Sequence, residues 1–289
     1  MRADLALALI ALIWGATFVV VKRALSDVSP FLYLAIRFSL AAALLAVWFR
    51  HRIRLGFGRQ EYWAGLRVGA VLMLGYILQT VGLATTSPAK SAFLTGLYIV
   101  LVPFVASFVY RTKPRLLEIA GAFVAGFGMA LLSITGDSFS IATGDLLTLG
   151  CAAAFAVHIV LLGRWAPRYG FESLSFLQIA GAAAVAIVAT PLIEQPFLRW
   201  TPPVLGAILV GALLATALAF VLQTWAQQRT TPTRAAVIFS LEPVFAWLVS
   251  WAVDGEMLTL RAAVGAACIL GGILLVELKP APLPEHPLI

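Results

Sequence analysis

Two ionisable side chains stand deep inside apolar runs: Arg37, and Glu242 with Pro243 directly after it. Holding a charge away from water is costly, so each is a candidate for binding a solute or moving a proton. Glu242 lies nine residues past Thr233, roughly 13 Å along a helix rising about 1.5 Å per residue. Pro243 withholds a backbone donor there, freeing carbonyls that could line a cavity. Glu242 is therefore either a carboxylate for a cationic group or proton, or a hydrogen-bonded residue that fixes a kink. Arg37 lies six residues past Phe31, about 9 Å deep; it either attracts a carboxylate or snorkels to the interface. His158, about 20 Å along its helix, reads more readily as a packing residue than as a proton relay. Trp14, Tyr76, Tyr98 and Phe239 bring aromatic rings to several segments, and Thr17 and Gln79 add polar groups at similar depth. Together with Arg37, His158 and Glu242 they form the expected substrate-binding set, with Pro103 and Pro243 as kink or gating positions. Neither the His nor the Cys spacing suggests a metal site, and no cofactor or catalytic residue is expected.

These residues must be placed by helices in a bilayer. The chain has 289 residues, of which 62% are hydrophobic and only 11% charged, and its mean hydropathy is +0.98. Ten apolar stretches of membrane-spanning length are expected at 3–21, 31–49, 63–84, 91–110, 116–134, 145–163, 173–192, 203–226, 233–253 and 260–278. The fold class is thus all-α and polytopic, with short loops and no separate soluble domain. The net charge of +7 would suit a nucleic-acid binder, but the bases sit in inter-helix loops, where the positive-inside rule accounts for them. Fourteen Lys and Arg fall on one face and five on the other, with Arg37 inside a span. Both termini are accordingly expected in the cytoplasm, with the bundle in the inner (plasma) membrane. Cys151 and Cys268 lie within apolar runs and read as small hydrophobes.

The two halves repeat. Asp4-Leu5 and Trp14 fall on Asp145-Leu146 and Phe155 at a shift of 141. At a shift of 144, Leu78-Gln79-Thr80 falls on Leu222-Gln223-Thr224, Pro88 on Pro232, Gly121 on Gly265 and Gly128 on Gly272. The units are residues 1–136 and 137–279, with 280–289 a cytoplasmic tail. Five spans is an odd number, so the second unit enters the membrane from the opposite side. Inverted repeats of this kind are built into secondary transporters.

Trp14-Gly15-Ala16-Thr17-Phe18, Arg37-Phe38, Tyr98 with Pro103, Leu241-Glu242-Pro243-Val244-Phe245, and Gly265 with Gly271-Gly272 carry a resemblance that covers nearly the whole chain. The sequence resembles EamA-type members of the drug/metabolite transporter superfamily. That resemblance implies two inverted five-helix repeats and a cavity walled by the first, third, fourth, sixth, eighth and ninth helices. It also implies export of amino acids or related amphipathic compounds by alternating access. The expected partners are a small-molecule substrate, a proton or counter-substrate, and lipid. The glycine-rich fifth and tenth helices resemble a packing seam or a dimer-forming face. The first repeat departs from the second in having Tyr98-Ile99 where a Glu-Pro would match.

Other functions fit less well. No phosphate-binding G-x-x-x-x-G-K-[ST] occurs, so either an ion or solute gradient supplies the energy or the protein is a uniporter. A membrane-embedded enzyme needs converging acids, histidines or nucleophiles, and two of the three histidines, His51 and His286, lie in a loop and the tail. A channel remains an alternative that saturation and counterflow would separate. Exchange of nucleotide sugars or organic phosphates wants several lumenal bases, and only Arg37 and Lys90 qualify.

Overall fold

A computed structural model describes residues 2–86, 88–133, 143–242, 244–245 and 260–277. Helices fill nearly all of them: α1 (Arg2–Ala24), α2 (Pro30–Trp48), α3 (Arg50–Arg54), α4 (Arg59–Thr85), α5 (Pro88–Gly96), α6 (Tyr98–Tyr110), α7 (Leu116–Ser133) and α8 (Thr143–Tyr169). They continue as α9 (Phe171–Ile193), α10 (Pro202–Gln227), α11 (Pro232–Phe239) and α12 (Leu260–Glu277). Among the described residues seven helices are long and apolar enough to cross a membrane, α5 and α6 contributing jointly through Ser91–Tyr110. The β-structure described is one isolated bridge, Val28 with Leu198.

The helix ends follow local chemistry. Pro30 opens α2 with its ring preset for a helix, and the Glu194 carboxylate accepts from the free backbone N–H of Leu32 at 2.8 Å and Phe31 at 3.2 Å. A carboxylate at a helix N-terminus satisfies orphan donors and faces the positive end of the dipole. Gly170, at φ 79°, makes the turn between α8 and α9, a conformation that costs glycine little.

Several elements differ from the sequence expectation. The third span begins four residues earlier, at Arg59, because the Glu61 carboxylate accepts from Gly58 N at 3.1 Å and pairs with Arg52 at 2.7 Å. The sixth runs on to Tyr169. The fourth is broken at Leu97 into α5 and α6. Residues 50–54, expected as loop, form the short α3. Within α10, Val210–Leu218 are wound as a π-helix, a rare, wider coil that recurs at functional sites. Much of the expected ninth span, with Pro243, Trp247 and Trp251, lies outside the described residues.

Two apolar cores form. One gathers α2, α4, α9 and most of α10 around Tyr33, Phe38, Leu72 and Ala182. The other gathers α1, α6, α7, α8, α11 and α12 around Leu7, Ile99, Val160 and Phe239. Trp14 and Phe155 pack against both. The helices α7 and α12 lie antiparallel at backbone contact. A Cβ on Gly272 would stand 2.5 Å from Gly121 O, and one on Gly128 would stand 2.5 Å from Gly265 O. Such approach needs small residues and supplies the dispersion contact that holds helices together in lipid. Two other glycines of these glycine-rich helices do not share this role: Gly126 would meet only a Val100 methyl at 3.1 Å, and Gly271 faces open space.

Candidate functional site

Between the two cores lies a cleft enclosing ≈ 680 Å³ of non-atom space, its mouth included. On α1 its wall is Trp14, Thr17, Phe18 and Val21; on α4 it is Leu72, Tyr76, Gln79, Thr80 and Leu83. Steps of three and four residues put each set on one helical face. Arg37 enters from α2, Thr95 from α5, Tyr98 from α6, and Phe155, His158 and Ile159 from α8. Phe220 and Gln223 come from α10, and Glu242 stands beyond α11. The cleft thus draws on the first, third, fourth, sixth, eighth and ninth spans, and Arg37 adds the second.

Aromatic rings frame it. Phe220 packs 5.7 Å from Trp14, 6.2 Å from Tyr76 and 5.8 Å from His158, while Tyr76 meets Phe155 edge-on at 5.3 Å. These offset and edge arrangements are the favoured ones. They give the wall a large apolar face that can hold flat or amphipathic solutes.

Arg37 is 4% exposed and does not snorkel. Its Nε donates to Thr216 Oγ1 at 2.7 Å and to Gly211 O at 3.2 Å. Its Nη2 donates to Ala215 O at 3.2 Å and to Tyr76 Oη at 3.3 Å, and the guanidinium lies 4.8 Å above the Tyr76 ring. Ala215 O also accepts from Trp14 Nε1 at 3.0 Å. All of these α10 acceptors belong to the π-wound segment. Arg37 therefore clamps the widened coil to α2 and α4.

Glu242 is buried and stands where the ninth span breaks. The helix α11 stops at Phe239, Leu241 N bonds to Ile238 O at 3.1 Å, and regular bonding resumes with Phe245 N to Leu241 O at 2.9 Å. Among the described residues the hydrogen bond to its carboxylate comes from Tyr98 Oη at 3.4 Å. Gln79 Nε2 donates to Thr95 Oγ1 at 3.2 Å on the adjoining wall.

Of the nine residues expected to bind substrate, Trp14, Thr17, Arg37, Tyr76, Gln79, Tyr98, His158 and Glu242 all line the cleft. Phe239 lies behind the wall, its ring 5.1 Å from that of Trp14. Pro103 is buried within α6, away from the lining. Sequence reasoning missed Phe155, Phe220 and Thr95 on the wall, and Thr216 and Gln178 behind it. Gln178 could have been found: it falls on Arg37 at the shift of 141 that aligns the first helices.

Similarity to other proteins agrees with this architecture. A crystal structure of a protein sharing 21% identity superposes with a TM-score of 0.79, covering 96% of each chain. An uncharacterized transporter of Archaeoglobus fulgidus is 36% identical over 279 residues, 96% of this chain and 86% of that one. The uncharacterized transporter YoaV of Bacillus subtilis is 24% identical over 281 residues, covering 92% and 93%. The EamA-like transporter family matches residues 1–134 and again 142–278. With both halves of the chain matched and a lined cleft between two helical cores, the protein belongs to the EamA-like transporter family.

Proposed function

We propose that this membrane transporter is a secondary carrier that exports small amphipathic metabolites, amino acids and related compounds, across the cytoplasmic membrane by alternating access. The observation that carries this reading is the buried carboxylate of Glu242 at the edge of an aromatic-walled cleft, with a tyrosine hydroxyl rather than a cation as its described partner. A buried carboxylate of this kind binds a substrate cation or a proton in membrane proteins.

The inverted five-helix units supply the two states. Gly121 meets Gly272, and Gly128 meets Gly265; the shift of 144 exchanges these two contacts with each other, as a two-fold axis across the helices would. Rocking one unit against the other about that seam would move access from one end of the cleft to the other. The lining on α1 and α4 occupies their C-terminal halves, which open outward in the orientation expected from the charges. At the inner end, Asp4 pairs with Arg234 at 3.1 Å and Gln227 Nε2 bonds Ile159 O at 2.8 Å. The arrangement fits an outward-facing state with both termini in the cytoplasm.

Counterflow in proteoliposomes tests the proposal. Preloaded amino acids or amines should accelerate uptake of labelled solute, with saturation. Flux that never saturates and shows no counterflow would mark a channel instead. Exchange of organic phosphates is disfavoured because Arg37 is the one described Lys or Arg on the wall, and two of its nitrogens already hold α10 and Tyr76.

A further inference from the structure

We infer that one wall of the cleft is an amino-group subsite, in which Gln223 Oε1, His158 Nδ1 and the Glu242 carboxylate accept from a protonated primary amine on the solute. The inference rests on the carrier reading and names the chemical group that reading leaves open.

Hydrogen-bond bookkeeping fixes the orientation of both neutral side chains. Gln227 Nε2 donates to Ile159 O at 2.8 Å. A backbone carbonyl only accepts, so Gln227 must turn Oε1 toward Gln223, whose Nε2 donates to it at 3.1 Å. Gln223 is thereby left with its Oε1 on the free side. That oxygen is buried and has no partner among the described residues, although Gln223 is part of the cleft wall. A buried acceptor without a donor is unfavourable, and a ligand N–H would relieve it.

A second chain fixes His158. Thr224 Oγ1 spends its single proton on Phe220 O at 2.6 Å. It can only accept from Gln178 Nε2 at 2.9 Å, which turns Gln178 Oε1 toward His158 Nε2, also at 2.9 Å. The neutral imidazole must carry its proton on Nε2, leaving Nδ1 as an acceptor. Nδ1 makes no hydrogen bond among the described residues, and His158 lines the cleft three residues from Phe155.

Two acceptors held in place by independent chains and one carboxylate thus belong to residues lining the same cleft. All three are complementary to a group that only donates. An ammonium offers three N–H donors and a charge; a carboxylate or phosphate offers none and would meet repulsion. A quaternary ammonium keeps the charge but cannot fill the acceptors, and the aromatic frame alone would hold it by cation–π attraction.

The test uses the full-length purified protein and three probes of one shape: 2-phenylethylamine, its N,N,N-trimethyl derivative and 3-phenylpropanoate. Titration calorimetry should show the primary amine binding at least about 10-fold more tightly than either analogue. Gln223→Met should weaken the amine about 10-fold, equivalent to about 1.4 kcal/mol, and leave the trimethyl compound unchanged. The melting temperature of the empty protein should change little, since removing the unsatisfied Gln223 Oε1 offsets the loss of the Gln223 Nε2 bond to Gln227 Oε1. Equal binding of the three probes, or a Gln223→Met protein that keeps the full preference, overturns the subsite. If the variant does not fold, the three wild-type affinities decide by themselves. Counterflow restricted to anionic or neutral solutes would overturn the subsite and leave the carrier standing. Tight amine binding without counterflow of any solute would instead remove the carrier and leave the subsite.

Discussion

Gly271 and Gly272 are adjacent in α12, and an alanine at each should move stability in opposite directions. The helix-propensity gain is common to both, roughly 1 kcal/mol for Gly to Ala in a helix interior. At Gly271 a new methyl meets nothing within 4 Å, so that gain is realised. At Gly272 the methyl would lie 2.5 Å from Gly121 O, 2.8 Å from Ala125 Cβ and 2.9 Å from Ala125 N. Backbone atoms of a packed helix cannot rotate aside as a side-chain end can. The seam must open, at an overpacking cost of about 1–3 kcal/mol. The two variants should therefore differ by about 2 kcal/mol, or roughly 4–8 °C at 2–4 °C per kcal/mol for a chain of this size. Thermal unfolding of the detergent-purified proteins, followed by tryptophan fluorescence, measures the gap. Gly121→Ala should behave like Gly272→Ala, because its methyl would stand 2.7 Å from Gly272 O. Equal melting temperatures for Gly271→Ala and Gly272→Ala would refute the account of how α7 and α12 meet.

Three further outcomes are expected. Arg37→Met should destabilise by about 2–4 kcal/mol, since bonds from a charged donor contribute roughly 1.5–3 kcal/mol each and relief of guanidinium burial offsets part of that. Arg37→Lys should not restore stability, because an ammonium lacks the planar fork that reaches Gly211, Ala215 and Thr216 together; an unchanged melting temperature in either variant would dismiss the clamp. Glu242→Gln should abolish whatever pH dependence the wild-type flux shows between pH 5 and 8 in proteoliposomes, and retention of the full wild-type profile would remove Glu242 from the coupling step. Asp4→Asn breaks a partly exposed ion pair of about 0–1 kcal/mol, so maleimide labelling of Thr17→Cys from outside should fall by up to about fivefold as the inward-facing state gains population. Labelling that stays constant would show that this pair does not hold the inner end shut.

Much of the cleft was legible because lipid makes polarity conspicuous. Arg37, His158, Gln79 and Glu242 stand out among Leu, Ala and Val, and a buried polar group in a bilayer needs either a partner or a purpose. Trp14, Thr17, Tyr76 and Tyr98 followed from depth and from the family motifs. Phe155 and Phe220 were not legible, since the chain has 18 Phe and nothing local separates one facing a cleft from one facing lipid. The partners of Arg37 were equally hidden. Both an outward snorkel and a lumenal guanidinium satisfy the same sequence, and the clamp on α10 depends on carbonyls exposed by a π-wound coil that no residue type announces. Gly126 and Gly271 show the converse, being small residues in a glycine-rich helix that make no close backbone contact.

Hydrophobic periodicity and loop charge by themselves determined that the chain is a bundle of membrane helices, because the bilayer imposes a fixed length and forbids unpaired backbone. Internal similarity at shifts of 141 and 144 added that two related units are present in the sequence. Only the tertiary structure decided which face of each helix meets the cleft, which hydrogen bonds Arg37 makes, and that Gln223 and His158 are left with open acceptors. Those properties belong to rotations and crossings of packed helices. They are set by contacts among residues up to 230 positions apart, such as Asp4 with Arg234, which no local pattern encodes.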